Sequence, residues 1–156
     1  MSTKSHIEFM RESIALSLKS IKIGEAPFGA VVVKDNKIVA RGADRVARKI
    51  DPTAHAEIIA IRQAASRLKT YDLSGCKIYT STIPCKMCME AIKIANIDEV
   101  YYACTEEDIS TQAVLSRYQH TATVKMKMVS DIKLTNMLRQ EGGEFVNVLE
   151  RLEEQE

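Results

Sequence analysis

This chain of 156 residues has few aromatic side chains and almost no net charge. It contains no tryptophan, only 5% of its residues are aromatic, and 22 basic residues stand against 21 acidic ones. Domains that bind nucleic acid usually carry a clearly basic face, so this balance does not favour a nucleic-acid partner. No apolar run approaches membrane-spanning length, and the first residues lack the apolar core of a signal peptide. We therefore expect a cytoplasmic protein with no membrane partner.

Cysteine and histidine are also few, with four of the former and three of the latter. Without a signal peptide, four cysteines indicate metal ligands or buried thiols rather than a disulfide framework. The length and the 46% content of hydrophobic residues predict one domain, spanning residues 1–156, with a single core.

Two short motifs carry most of the chemical information. His55 and Glu57 form H-x-E, and Pro84 precedes Cys85 and Cys88 in P-C-x-x-C. Cysteines three residues apart share one face of a helix, and proline suits a helix start. One imidazole and two thiolates make three ligands for Zn²⁺, which leaves the fourth position of a catalytic site to water. Glu57 would then be a proton carrier beside the metal, provided that a helix begins near Thr53.

Other interpretations of these motifs remain open. A lone C-x-x-C also occurs in redox pairs and in structural zinc sites. A structural site requires a fourth ligand, which Cys76, Cys104 or His120 could supply.

The hydrophobic pattern predicts an α/β fold, a three-layer α/β/α arrangement whose five-stranded mixed sheet has helices on both faces. The helices are expected at 5–20, 53–68, 85–95 and 106–118, followed by two helical pieces in the tail that Gly142 and Gly143 separate. The strands are expected at 28–33, 37–41, 76–82, 99–104 and 123–128. Residues 43–52 are predicted to form a polar loop.

Three finer expectations follow from the same pattern. Asp35 and Asn36 are predicted to form a hairpin turn. The helix that follows residue 53 should direct one apolar stripe toward the core, namely Ile58, Ile61, Ala65 and Leu68. The last helix carries a second apolar stripe, which should pack on the body or on a partner subunit and comprises Phe145, Val148, Leu149 and Leu152.

The two motifs, together with residues 26–33 and 51–58, resemble the cytidine deaminase-like superfamily over about residues 5–104. H-x-E followed by P-C-x-x-C is the general signature of zinc-dependent nucleobase deaminases. Within this superfamily the chain looks most like guanine deaminases and their neighbours, the tRNA adenosine deaminases.

The resemblance implies hydrolytic removal of an exocyclic amine from a free purine-like base, guanine or a close analogue. It implies Zn²⁺ on His55, Cys85 and Cys88, proton transfer by Glu57, and a homodimer. Cytosine and tRNA adenosine are alternative substrates, and a non-catalytic member that keeps zinc for folding is a further alternative.

The resemblance also assigns a base pocket to Phe28, to residue 44 and to the backbone N–H of Ala56. This chain has Asp44 where the family usually has asparagine. An ionised aspartate only accepts hydrogen bonds, so Asp44 favours a base edge that presents donors. The alternative is a loop carboxylate that faces water. The region after Cys104, which ends in an acidic stretch, does not match guanine deaminases well.

Overall fold

A computed structural model describes residues 3–109 and 133–154 of the chain. Its helices are α1 Thr3–Lys22, α2 Val46–Lys49, α3 Ala56–Leu68, α4 Lys86–Ile94, α5 Glu106–Ile109, α6 Arg139–Gly142 and α7 Glu144–Glu153. Its strands are β1 Gly29–Lys34, β2 Lys37–Ala43, β3 Lys77–Thr82, β4 Glu99–Cys104 and β5 Lys133–Asn136. Within these ranges, no helix combines the length and the apolarity that a bilayer crossing requires.

The five strands form one mixed sheet in the order β2-β1-β3-β4-β5. Strand β1 is antiparallel to both of its neighbours, whereas β3, β4 and β5 run parallel to one another. Asp35 and Asn36 join β1 to β2 with φ angles of 48° and 61°. Left-handed backbone at both positions is typical of the two-residue turns that match the twist of a hairpin. The predicted turn is therefore confirmed.

Helices cover both faces of the sheet, as predicted. Val32, Ile78 and Val100 belong to the core on the side of α3 and α4, whereas Val31 and Tyr79 belong to the core beneath α1. Neighbouring residues of one strand point to opposite faces, so a strand buried on both faces reads as a continuous apolar run. This explains the unbroken sequence of valines in β1.

Helix α3 differs from its prediction in both its start and its buried face. It begins at Ala56 rather than near Thr53, so the ligand candidate His55 is its N-cap residue. The predicted core stripe is confirmed in part, because Ile61, Ala65 and Leu68 pack against the core from half-buried positions, and Ile58 is also half-buried. The buried residues of α3 are Ala56, Glu57, Ala60 and Ala64.

The close approach of β2 explains this alanine face. A Cβ atom built on Gly42 would lie 2.1 Å from the carbonyl oxygen of Ala56 and 2.7 Å from the backbone nitrogen of Ala60. Only small side chains fit between a strand and a helix at that spacing. The larger apolar residues of α3 are consequently displaced to its flanks.

The loop and the fifth strand also depart from the sequence pattern. The predicted loop at 43–52 contains the short helix α2, and the described residues contribute a fifth strand at Lys133–Asn136 that was not predicted. The strand expected at 123–128 lies outside the described residues. Of the helix expected at 106–118, only Glu106–Ile109 is described, and it is helical.

The tail consists of two helical pieces, as expected, and α7 packs on the body of the domain. Leu149 is buried in a cluster with Ile21, Ala26 and Cys104, and Phe28 packs against the same cluster. The described tail is thereby tied to the end of α1 and to the segment that precedes β1.

We expect Gly42→Ala to destabilise the zinc-loaded protein by about 3 kcal/mol, because the added methyl would overlap backbone atoms of α3 that cannot move independently. Urea unfolding measures the change. Gly143→Ala is the matched control, since its Cβ would meet nothing closer than 3.5 Å, and it should change stability by less than about 1 kcal/mol. Equal effects of the two substitutions would contradict the close packing of β2 on α3.

Candidate active site

Three potential metal ligands converge at one end of the sheet. Nδ1 of His55 lies 3.6 Å from Sγ of Cys85 and 3.7 Å from Sγ of Cys88. The ligand atoms of these three residues all lie within 4.8 Å of one another. The structure thus brings together two motifs that are thirty residues apart in sequence.

This spacing fits a tetrahedral zinc ion. A Zn–N bond of ~2.05 Å and a Zn–S bond of ~2.3 Å at a tetrahedral angle place the nitrogen and the sulfur ~3.6 Å apart. The distances from His55 to Cys85 and to Cys88 agree with that value. The donor set of one imidazole and two thiols is also chemically suited to zinc, and it leaves one coordination position for water.

The turn before α3 delivers His55. Oδ1 of Asp51 accepts hydrogen bonds from the backbone N–H and the hydroxyl of Thr53, at 2.9 and 2.7 Å. The His55 N–H then donates to the carbonyl of Thr53, and the Arg45 N–H donates to that of Ala54. Asp51 and Thr53 therefore order the turn that precedes the helix.

The two cysteines lie at the start of α4. Cys85 is the N-cap residue of this helix and Cys88 is buried in its first turn. Strand β3 ends at Thr82, so only Ile83 and Pro84 separate it from the first ligand. Backbone N–H groups at a helix start favour thiolate over thiol, which suits a metal ligand.

Glu57 lies beside the ligand cluster without completing it. Its side chain is 7% exposed, and the Cys88 thiol donates to its Oε2 over 3.4 Å. Glu57 is not one of the three residues whose ligand atoms converge. This position suits a group that exchanges protons next to the metal.

Burial and mutual contacts perturb the pKa values at this centre. Hydrogen bonds from Cys88 and from His55 lower the pKa of Cys85 to about 4. The hydrogen bond with Cys85 raises the pKa of His55. The same contact with Cys85, together with burial, raises the pKa of Cys88. A dication bound by both sulfurs would release the Cys88 proton, as is general for thiolate-bound metals.

Burial also raises the pKa of the two carboxyl groups nearby. It raises the pKa of Glu57 to about 7 and, with a smaller contribution from the neighbouring Glu25, raises the pKa of Asp44 to about 6. Backbone N–H donors and His55 act in the opposite direction at both groups. Such raised values are common where carboxyl groups take part in binding or catalysis.

The remaining two cysteines behave as buried thiols. Cys76 and Cys104 are both in the core, and burial raises the pKa of each. Neither joins the convergent set among the residues that the structure describes. His120, the other candidate for a fourth ligand, lies outside those residues.

The candidate substrate residues are connected through their backbones. The Asp44 N–H donates to the carbonyl of Phe28 over 3.2 Å, and the Arg45 N–H donates to that of Ala54 over 2.9 Å. Ala56 is the first residue of α3, a position whose N–H intrahelical bonding does not use. Asp44 does not face water, because its side chain is fully buried.

Sequence reasoning missed Glu25. It falls in a short loop before Pro27, yet its side chain is only 1% exposed and accepts hydrogen bonds from the backbone N–H groups of Ala47 and Arg48. No local pattern predicts a pairing between residues more than twenty positions apart. The neighbourhood of Glu25 becomes visible only when β1 and β2 bring the two loops together.

Comparisons with known proteins agree with this geometry. Residues 3–104 match the family model described as the cytidine and deoxycytidylate deaminase zinc-binding region. The chain is similar to guanine deaminase from Bacillus subtilis, with 43% identity over 105 residues that cover 67% of each protein. It is also similar to the tRNA-specific adenosine deaminase of Aquifex aeolicus, with 34% identity over 99 residues that cover 64% of this chain and 66% of that one.

A solved structure shows the same fold. The X-ray structure of the Bacillus subtilis guanine deaminase aligns with a TM-score of 0.66 and 34% identity, covering 83% of this chain and 87% of that one. The resemblance inferred from the motifs and the predicted three-layer fold are both confirmed.

Purified protein should contain about one zinc per chain, because three ligands converge at a single point. Cys85→Ala should lose most of that metal in elemental analysis. Cys76→Ala is the matched control and should keep it, since Cys76 is a core thiol apart from the cluster. Full zinc occupancy in the Cys85→Ala variant would contradict the ligand assignment.

Proposed function

Because the chain belongs to the cytidine and deoxycytidylate deaminase family, we propose that it removes an exocyclic amine from a free purine-like base, releasing ammonia. Guanine or a close analogue is the proposed substrate. The observation that carries this proposal is the buried Glu57 carboxylate beside a set of three zinc ligands. A metal site that served folding alone would require neither a fourth open position nor a buried acid next to it.

The chain's own residues divide the work in this proposal. His55, Cys85 and Cys88 hold Zn²⁺, which when bound lowers the pKa of a water toward ~7 and so supplies a nucleophile at neutral pH. Glu57 would accept the proton of the attacking water and pass it to a ring nitrogen. It would then take the proton of the hydroxyl added to the ring carbon and deliver it to the departing amine, so that the C–N bond breaks as the carbonyl forms. General acid–base catalysis of this kind requires a carboxyl group held close to the reacting atoms.

Guanine is favoured because the guanine deaminase of Bacillus subtilis is 43% identical over the shared region. Phe28 would contact the face of the base, and the Ala56 N–H would donate to its edge. The buried Asp44 carboxylate would accept from N–H groups of the base. A role in purine metabolism follows from this substrate.

A tRNA adenosine is the second candidate substrate. The relative from Aquifex aeolicus acts on that class of substrate, and Arg48 and Lys49 of α2 are exposed on the loop that leads to His55. The net charge of +1 does not favour an RNA partner. Cytosine is a third candidate substrate for the same chemistry.

The assembly is also a proposal. Tyr71 and Ile94 are 91% and 81% exposed, and they border an apolar groove between α3 and α4 that Ile58 and Ile61 also line. Exposed apolar surface of this kind supports the expected homodimer, which sedimentation equilibrium would measure. A cytoplasmic location and a single domain over residues 1–156 are further expectations that we carry into this proposal.

Ammonia release against a panel of substrates tests the proposed function. The panel should include guanine, adenine, cytosine, amino-bearing triazines and pterins, and a tRNA anticodon stem-loop. We expect turnover of guanine or an analogue. Glu57→Gln should keep its zinc and lose about 10²–10⁴-fold in activity, because it removes the proton carrier.

Glu90→Gln, an exposed position on α4, is the matched control for Glu57→Gln and should retain activity. Full activity in the Glu57→Gln variant would contradict proton transfer by Glu57. Turnover of the stem-loop but of no free base would replace guanine with tRNA as the substrate.

Asp44→Asn should shift the substrate profile toward guanine, since an amide offers both a donor and an acceptor where the carboxylate only accepts. One matched hydrogen bond is worth about 1–3 kcal/mol, so the ratio of kcat/KM values between guanine and its analogues should change by roughly 5- to 150-fold. Asp35→Asn in the exposed hairpin turn is the control. An unchanged profile in Asp44→Asn would reduce Asp44 to a structural loop residue.

A further inference from the structure

Two buried carboxylates share the backbone N–H donors at the start of α2. The Val46 N–H donates to Oδ1 of Asp44 over 3.2 Å. The next two N–H groups, those of Ala47 and Arg48, donate to Oε2 and Oε1 of Glu25 over 3.1 and 2.8 Å. Three consecutive orphan donors of a helix start are therefore satisfied by side chains from two different loops.

Asp44 lies one residue before Arg45, the N-cap of α2, and its side chain satisfies only the first of these donors. A side chain at a helix start usually accepts from one of the first backbone N–H groups. Glu25, which is 1% exposed, occupies that role instead for two of the three donors. Asp44 is consequently left with one oxygen that the helix start does not use.

That oxygen is a buried acceptor in need of a donor. Among the residues that the structure describes, no N–H or hydroxyl group donates to Oδ2 of Asp44, although the atom is shielded from water. Besides burial, direct contact with the Glu25 carboxyl raises the pKa of Asp44, so the two acids compete for donors rather than supplying one another. A buried polar atom without a partner costs about 1–3 kcal/mol, so it requires an explanation. A ligand that supplies the missing donor would recover this cost on binding.

The backbone contacts of Asp44 link this acceptor to the proposed base pocket. Its own N–H is bonded to Phe28, and the next residue is bonded to Ala54, the neighbour of the zinc ligand His55. A base held near the metal would thus approach the segment that carries Asp44.

We propose that Glu25 is a positioning residue for substrate recognition: by accepting the N–H groups of Ala47 and Arg48, it keeps Oδ2 of Asp44 available for an N–H of the base. The substrate class is an amino-bearing base whose edge toward Asp44 presents a donor rather than a carbonyl oxygen. The inference rests on the proposed function, since it requires a base in this pocket. Without Glu25, the Asp44 carboxylate turns toward α2 and is lost to the substrate.

A double-mutant cycle on the zinc-loaded full chain tests this coupling. Glu25→Ala and Asp44→Ala should each raise KM for the best substrate by about 10-fold, because each removes one hydrogen bond to the bound base. Neither substitution should change kcat by more than about 3-fold. The double variant should be no worse than Asp44→Ala, because Glu25 acts through Asp44. A further 10-fold loss in the double variant would show an independent structural role and overturn the proposal.

Two further variants distinguish a specific role of Glu25 from a general loss of stability. Glu25→Gln keeps one acceptor oxygen, so its KM should lie between those of the wild type and Glu25→Ala. Asp72→Ala removes a carboxylate that caps the Ser74 N–H in an exposed loop, and it should leave KM unchanged. A rise in KM in Asp72→Ala equal to that in Glu25→Ala would contradict a specific role for Glu25.

A crystal structure of the Glu25→Ala variant tests, without any substrate, whether Glu25 controls the orientation of the Asp44 carboxylate. We expect both oxygens of Asp44 to accept from the first turn of α2 there. An Asp44 that still contacts only Val46 would overturn the inference.

If the wild type deaminates a base and Glu25→Ala leaves KM unchanged, this inference fails alone. A wild type inactive toward the whole panel would overturn the proposed function and the recognition role together.

Discussion

The structure depends on bringing one imidazole nitrogen to within 3.6–3.7 Å of two sulfur atoms from another part of the chain. Zinc accepts only a narrow range of ligand distances, so small errors in either segment would destroy the site. The contact of Gly42 with α3 fixes the height of the helix that follows His55. The two-residue link between β3 and Cys85 fixes the position of the two cysteine ligands. The alanine face of α3 is a consequence of this requirement, because a larger side chain would lift the helix from the sheet.

A second constraint shapes the side of the pocket that would meet the substrate. Glu25, Asp44 and Glu57 are buried carboxyl groups, which proteins tolerate only when each has donors or a function. Glu25 is satisfied by α2, Glu57 accepts from Cys88, and Asp44 is satisfied at only one oxygen among the described residues. The three potential zinc ligands therefore fit the deaminase family to which the chain belongs, and in the proposed function the distribution of these acids would select the substrate.

Sequence reasoning succeeded where the information is local. His55, Cys85 and Cys88 were found because metal ligation restricts both residue type and spacing, and β1 was found because a strand buried on both faces is continuously apolar. The prediction for α3 was incomplete: Ile61, Ala65 and Leu68 pack on the core, but the fully buried positions belong to alanines, because the strand leaves room only for small side chains there. Sequence reasoning failed for Glu25, whose partners are more than twenty residues away, and for β5, which is too short to show a clear alternation.

X-ray absorption at the zinc edge of the wild-type protein counts the sulfur atoms that bind the metal. Two sulfur ligands at ~2.3 Å and two lighter ligands at ~2.0–2.1 Å are expected, one of the latter the imidazole of His55 and the other an oxygen from solvent. A third sulfur from Cys76 or Cys104, with no solvent oxygen, would instead indicate a closed structural site and contradict an open catalytic one.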